Sequence, residues 1–129
     1  MCIRDSFRTD HGPPTLAARI EMADPSAGDT GARVALGYSA DTGPDWSPAE
    51  LGAGIGLLLC EASYTRGHEG SGRHLSGRQA ASMAADAAVA QLVLTHRWPT
   101  VPADALAAES DEAFGRPVHQ AAPRRVFAW

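Results

Sequence analysis

The stretch "QLVLTHRWP" at residues 91–99 decides how the rest of the chain is read. Leu92, Val93 and Leu94 form an apolar run too short for a core helix and well suited to a strand. The run gives way to Thr95 and His96, and Trp98 and Pro99 close it. An apolar strand that delivers an imidazole at its end points to a layered α/β protein. In such proteins a rigid sheet holds polar side chains over a crevice at the strand ends.

Working outward, "SGRQ" at residues 76–79 has the Ser-x-x-Gln form that satisfies orphan backbone donors at a helix start. Ala80, Met83, Ala84, Ala87 and Ala88 follow at helical spacing, so this helix packs through small side chains. Before it, "GLLLCEAS" (56–63) is apolar without alternation, as expected of a strand covered on both faces. Further upstream, "TLAARIEM" (15–22) and "ARVALGYS" (32–39) read as strands of a hairpin with a long loop. The segment 40–56 is rich in Gly and Pro, with at most a short helix around 48–53. Downstream, a helix is predicted over 102–114, ended by Gly115, and short strands around "PVHQA" and "RVFAW". The order of elements gives one α/β layered domain.

Composition narrows the function classes. The 129 residues suit one domain, and 44% hydrophobic content is enough for a core. A net charge of -4 gives no global positive field for nucleic acid or an anionic membrane, so any phosphate contact must be local. Two cysteines without a spacing pattern, no signal peptide and no apolar run long enough to span a bilayer lead to the expectation of a cytoplasmic protein without a membrane partner. Residues 1–6, "MCIRDS", resemble a translated sequencing-adapter scar, and the fold is read from 7–129.

Chemistry-bearing side chains gather where strands end. Asp41 follows "GYSA", Glu61 ends "LLLCE", His96 ends "LVLTH", His11 precedes the first strand and His74 precedes the capped helix. Neutral imidazoles and a carboxylate able to bridge two cations are what a metallohydrolase uses. Each has another reading. Asp41 before Thr-Gly also fits an Asx-turn, His96 can cap carbonyls, and His74 can be a solvated loop residue. Glu61 is harder to explain away, because an unpaired carboxylate beside "LLLC" is costly to bury. His68 and His119 read as surface residues and Cys60 as a small core residue.

Taken in order, "HGPPTLAARI", "YSADTGP", "LLLCEASY", "RHLSGRQAA" and "LVLTHRWP" resemble the C-terminal half of a metallo-β-lactamase-fold hydrolase, in its ribonuclease Z-like and phosphodiesterase branch. The resemblance implies the C-terminal half of an αββα sandwich, with His11, Asp41 and His96 as metal ligands. Asp41 would bridge two zinc ions, and Ala40 replaces the family's usual Gly. The family's "H-E-A-T" appears as "CEAS", keeping Glu61, and its "H-S-T" as "HLS", giving His74. That pair is implied to be catalytic, with Glu61 orienting His74 toward the leaving oxygen. Arg73 or Arg97 would contact phosphate.

The branch's Ser-x-Arg-Tyr pattern after the last ligand is replaced by "THRWPT", which weakens a tRNA-processing role. The H-x-H-x-D-H signature is absent. The expectation is therefore a fragment of a dinuclear zinc hydrolase, acting through a zinc-activated hydroxide on a small-molecule or RNA phosphodiester. This chain alone is expected to bind zinc weakly or not stoichiometrically at all and to be inactive, and the full-length parent leaves room for a homodimer. A non-catalytic α/β interaction module, or a hydrolase of a lactone or thioester on the same fold, are the alternatives.

Overall fold

The computed structural model describes the backbone of residues 2–129 and the side chains from residue 5 onward. Its centre is a six-stranded sheet in the order β1 to β6. The strands are β1 (Cys2–Arg8), β2 (Leu16–Ala23), β3 (Arg33–Tyr38), β4 (Ile55–Glu61), β5 (Gln91–Thr95) and β6 (His119–Gln120). β1, β2 and β3 pair antiparallel, whereas β3 through β6 run parallel. The helices are α1 (Gly77–Asp86) and α2 (Ala103–Phe114), each lying in a crossover between parallel strands. The α/β class expected from the order of elements is the one observed.

Local chemistry sets the helix ends. Ser76 Oγ accepts from the Gln79 amide at 3.0 Å, and Gln79 Oε1 accepts from the Ser76 amide at 2.9 Å. Both halves of the capping box are therefore made. Gly115 ends α2 in the left-handed conformation at φ 75. The short helix expected near 48–53 is a 3-10 turn, Pro48–Leu51, capped by Ser47.

The helices cover one face of the sheet. Leu58 and Cys60 of β4 and Leu92 and Leu94 of β5 pack there against Ala80, Ala81, Ala84, Leu106 and Phe114. Ala88 lies beyond the end of α1, exposed and at φ 53, so it is not part of the packed stripe. On the other face, Leu57 and Val93 are buried beneath the chain's last residues, including Phe127 and Trp129. β4 is thus covered on both sides, as its unbroken apolar run requires.

Residues 2–6 pair along β2 as part of the edge strand β1, and backbone pairing of this kind needs no particular side chain. Two features differ from the sequence reading. β2 turns Ala17 and Arg19 inward and leaves Leu16 58% exposed. Arg19 tolerates this because Nη1 donates to Leu51 O at 3.1 Å and Ala53 O at 2.9 Å, while Nε donates to Glu21. Finally, "RVFAW" forms no strand. Arg124 sits at φ 65 and turns the chain across the sheet face, where the Gln91 side-chain amide donates to Ala128 O at 3.1 Å.

Candidate metal centre

Parallel pairing brings the ends of β3, β4 and β5 to one edge of the sheet. Antiparallel β2 begins at that edge, and the loop leading into α1 returns to it. Asp41, Glu61, His96, His11 and His74 therefore meet by topology. Donor atoms of His11, Asp41 and His74 all lie within 4.8 Å of one another. The His74 ring stands 5.2 Å from the His11 ring and 5.2 Å from the His96 ring, centre to centre. His96 Nε2 lies 3.7 Å from Asp41 Oδ2. Two donors on one tetrahedral zinc, each about 2.1 Å from it, stand about 3.4 Å apart.

Hydrogen bonds behind the rings decide which nitrogen each presents. Glu61 is 1% exposed and fully engaged. Its Oε1 accepts from the Thr42 amide at 3.0 Å and meets His74 Nδ1 at 2.7 Å. Its Oε2 accepts from Ser63 Oγ at 3.1 Å and the Leu75 amide at 3.2 Å. A carboxylate only accepts, so His74 carries its proton on Nδ1 and keeps the Nε2 lone pair free. Ser63 gives its one proton to Glu61, so the His96 Nδ1 that lies 2.9 Å from Ser63 Oγ must donate to it. The Thr15 hydroxyl donates to Pro13 O at 2.8 Å, so His11 Nδ1, 3.3 Å away, donates to Thr15. All three imidazoles thus present Nε2, the arrangement in which buried partners orient metal-binding histidines. Glu61, His74 and His96 also lie within 4.8 Å. Glu61 already accepts four hydrogen bonds, which suits an orienting group better than a ligand.

Backbone strain sits at the same place. Ala40 at φ 51 and His96 at φ 59 hold the left-handed conformation that residues with a Cβ avoid. At the rim, Asp10 Oδ1 lies 3.8 Å from Arg73 Nη1, and Arg73 is 67% exposed. Arg97, the other arginine considered for phosphate, is used locally: its guanidinium donates to Val101 O and bends the 98–101 turn. Cys60 points into the helical core, where burial, and to a lesser degree the Glu61 charge, push its thiol up to about 12 against the help of a Ser39 hydrogen bond. It is a core residue and not a nucleophile. His119 is half-buried in β6 against Phe127, so it is not a plain surface residue.

The crystal structure of the metallo-β-lactamase-fold protein YhfI from Bacillus subtilis superposes with a TM-score of 0.73, at 23% identity. The match covers 90% of this chain and 44% of YhfI. The chain has the metallo-β-lactamase fold. A long-form ribonuclease Z from yeast shares that fold with a TM-score of 0.62 at 23% identity, over 75% of this chain and 14% of the yeast protein. In sequence, the chain is 36% identical over 107 residues to an uncharacterised protein of Mycobacterium tuberculosis. That match covers 82% of this chain and 37% of the relative. It is 34% identical over 87 residues to a ribonuclease Z of Methanothermobacter thermautotrophicus, covering 65% of this chain and 28% of that enzyme. No family model matches. The chain spans little more than a third of the length of the mycobacterial relatives. Among the described residues, no helix is long and apolar enough to cross a membrane.

Within this metallo-β-lactamase fold, sequence reasoning missed Ser63, Thr15 and Thr42, which hold the rings and Glu61 in place. For Ser63 a signal existed. In an extended segment, alternation puts residues 61 and 63 on the same side, so "EAS" offers a hydroxyl beside the carboxylate.

Proposed function

We propose that this chain carries part of the dinuclear zinc centre of a hydrolase that cleaves phosphodiester bonds. The observation that carries the reading is the meeting of His11, Asp41, His74 and His96, from four separate segments, with three Nε2 lone pairs left free. His11, Asp41 and His96 would hold the metal, and the two oxygens of Asp41 allow it to reach two cations. Zinc held there supplies a Lewis acid and makes a water nucleophilic near neutral pH.

The remaining work belongs to the chain. His74 acts on the leaving-group side: with Nδ1 engaged by Glu61, the free Nε2 lone pair is the one that takes up a proton and passes it to the departing oxygen as the P–O bond breaks. Glu61 keeps that ring from rotating, and the low dielectric around a buried carboxylate strengthens the bond. Arg73 offers an exposed positive charge at the rim for a non-bridging phosphate oxygen. Convergence on one edge supports this reading over a non-catalytic module, which requires no such meeting.

Calorimetric titration with zinc, beside an assay on bis(p-nitrophenyl) phosphate, tests the proposal. Four donors shared between two ions leave each below four protein ligands, so zinc binds this chain weakly and the diester is not turned over. Asp41→Ala or His96→Ala abolishes the zinc heat. In a longer relative with the same residues, zinc-dependent turnover falls by about 10²–10⁴ on His74→Ala. Zinc heat unchanged in both variants ends the metal reading. Tight binding of two zinc ions with turnover by this chain alone ends the claim that the centre is partial.

A further inference from the structure

Tyr64 and Trp98, whose rings approach His74, line a cavity of about 250 Å³ together with Thr65, His68, Thr100 and Val101. The Tyr64 ring meets His74 edge-on at 5.9 Å and Trp98 edge-on at 5.0 Å, and Trp98 stands 6.4 Å from His74. The aromatic wall is therefore continuous with the imidazole that faces the leaving group. We propose that this cavity receives a planar, uncharged aromatic ring carried by the leaving group, a nucleobase in chemical class, with Trp98 as the residue that selects for it.

Several features make this a prepared site rather than a gap. Tyr64 is 3% exposed, and the 71–73 loop packs so closely that a Cβ on Gly72 would lie 2.7 Å from its hydroxyl. The wall cannot swing away without moving the loop that carries His74. Trp98 is pinned at its backbone, donating to Ser63 O at 3.3 Å and accepting from the Val101 amide at 2.9 Å, with Arg97 clamping the same turn. Trp98 nevertheless stays 45% exposed, so part of the indole is left open along the cavity. Burial, with the Glu61 charge adding to it, raises the phenol of Tyr64, so that wall is neutral. The lining contains no lysine or arginine, so it offers no fixed positive charge for a second phosphate. The volume falls below the roughly 300–1,000 Å³ of cavities that hold whole drug-sized ligands, so it suits one ring system.

The inference rests on placing His74 at the leaving oxygen, and its test is independent of metal and turnover. The metal-free chain is titrated with adenosine and, separately, with ribose, and followed by amide, methyl and indole resonances. Adenosine is expected to shift the Trp98 indole, Thr65, Thr100 and Val101 and to show nuclear Overhauser contacts from its base protons to Trp98; ribose is expected to do neither. Trp98→Ala weakens adenosine at least about fivefold, the low end for losing one base-stacking ring, and Trp98→Phe restores most of it. Equal shifts from ribose, shifts elsewhere on the surface, or no contacts to Trp98 in the unsubstituted chain overturn the inference. Adenosine binding without any zinc heat would sink the metal reading alone, and zinc heat that is lost in Asp41→Ala, without adenosine contacts to Trp98, would sink this one alone.

Discussion

Ser63 Oγ stands 2.9 Å from Nδ1 of His96 while its own proton reaches Glu61 Oε2 at 3.1 Å. One buried carboxylate therefore orients two imidazoles, His74 directly and His96 through a hydroxyl. A charge-assisted bond to Glu61 outcompetes the alternative contact of the same hydroxyl with His96 O at 3.3 Å. Long-range proton–nitrogen correlation spectra of the metal-free chain above neutral pH are expected to show both rings protonated at Nδ1. In Ser63→Ala, His96 shifts to a mixture of tautomers while His74 is unchanged. Ser63→Thr keeps the original pattern. His96 unaffected by the alanine would show that the hydroxyl does not set its tautomer.

Ala40 precedes Asp41 at φ 51, where the resembling family has Gly. A side chain in the left-handed region costs roughly 1–2 kcal/mol. Glycine gives back about 0.5–1 kcal/mol through the freedom it gains on unfolding. Ala40→Gly is therefore expected to stabilise the chain by about 0.5–1 kcal/mol, read from the midpoint of urea unfolding. A lower midpoint would mean that packing of the Ala40 methyl outweighs the strain.

What could be read from sequence divides along physical lines. Asp41, Glu61 and His96 were legible because strands announce themselves by apolar runs and the polar residue that ends each run stands out. Ser76 and Gln79 were legible because a capping box is local. Burial of Arg19 was not, since it depends on carbonyls at Leu51 and Ala53, more than thirty residues away in sequence. Likewise, "RVFAW" has strand-like composition, but the turn at Arg124 carries it over the sheet face and out of hydrogen-bonding register. The aromatic wall was hidden too, because Tyr64 and Trp98 belong to different loops that only the β4–β5 pairing brings together.

Helix packing gives a steric prediction. A Cβ on Gly77 would come within 2.7 Å of Leu106 Cδ1, and closer still to Ser110 Oγ, so α1 and α2 meet where only hydrogen fits. Gly77→Ala is expected to destabilise by about 1–3 kcal/mol by overpacking. Adding Ser110→Ala removes the nearer obstacle and is expected to recover part of that loss in a double-mutant cycle. Strictly additive losses would place the strain elsewhere.

Acid sensitivity follows from Glu69, whose carboxylate receives Arg78 Nε at 2.9 Å and Nη2 at 2.8 Å, and Ser76 Oγ at 2.6 Å. The Arg78 hydrogen bonds, more than anything else, hold its pKa below the usual 4.5, with burial opposing them. A depressed folded value means that the stabilisation is complete above 4.5 and fades as pH falls through the folded pKa. Partial exposure, 23% for Glu69 and 34% for Arg78, keeps the pair to about 0.5–1 kcal/mol. Glu69→Gln is thus expected to lower stability by that amount at pH 7, and the gap to the parent closes well below pH 4.5. Chemical unfolding at a series of pH values checks this. A gap that persisted undiminished in acid would assign the loss to packing or to the Ser76 cap and not to charge.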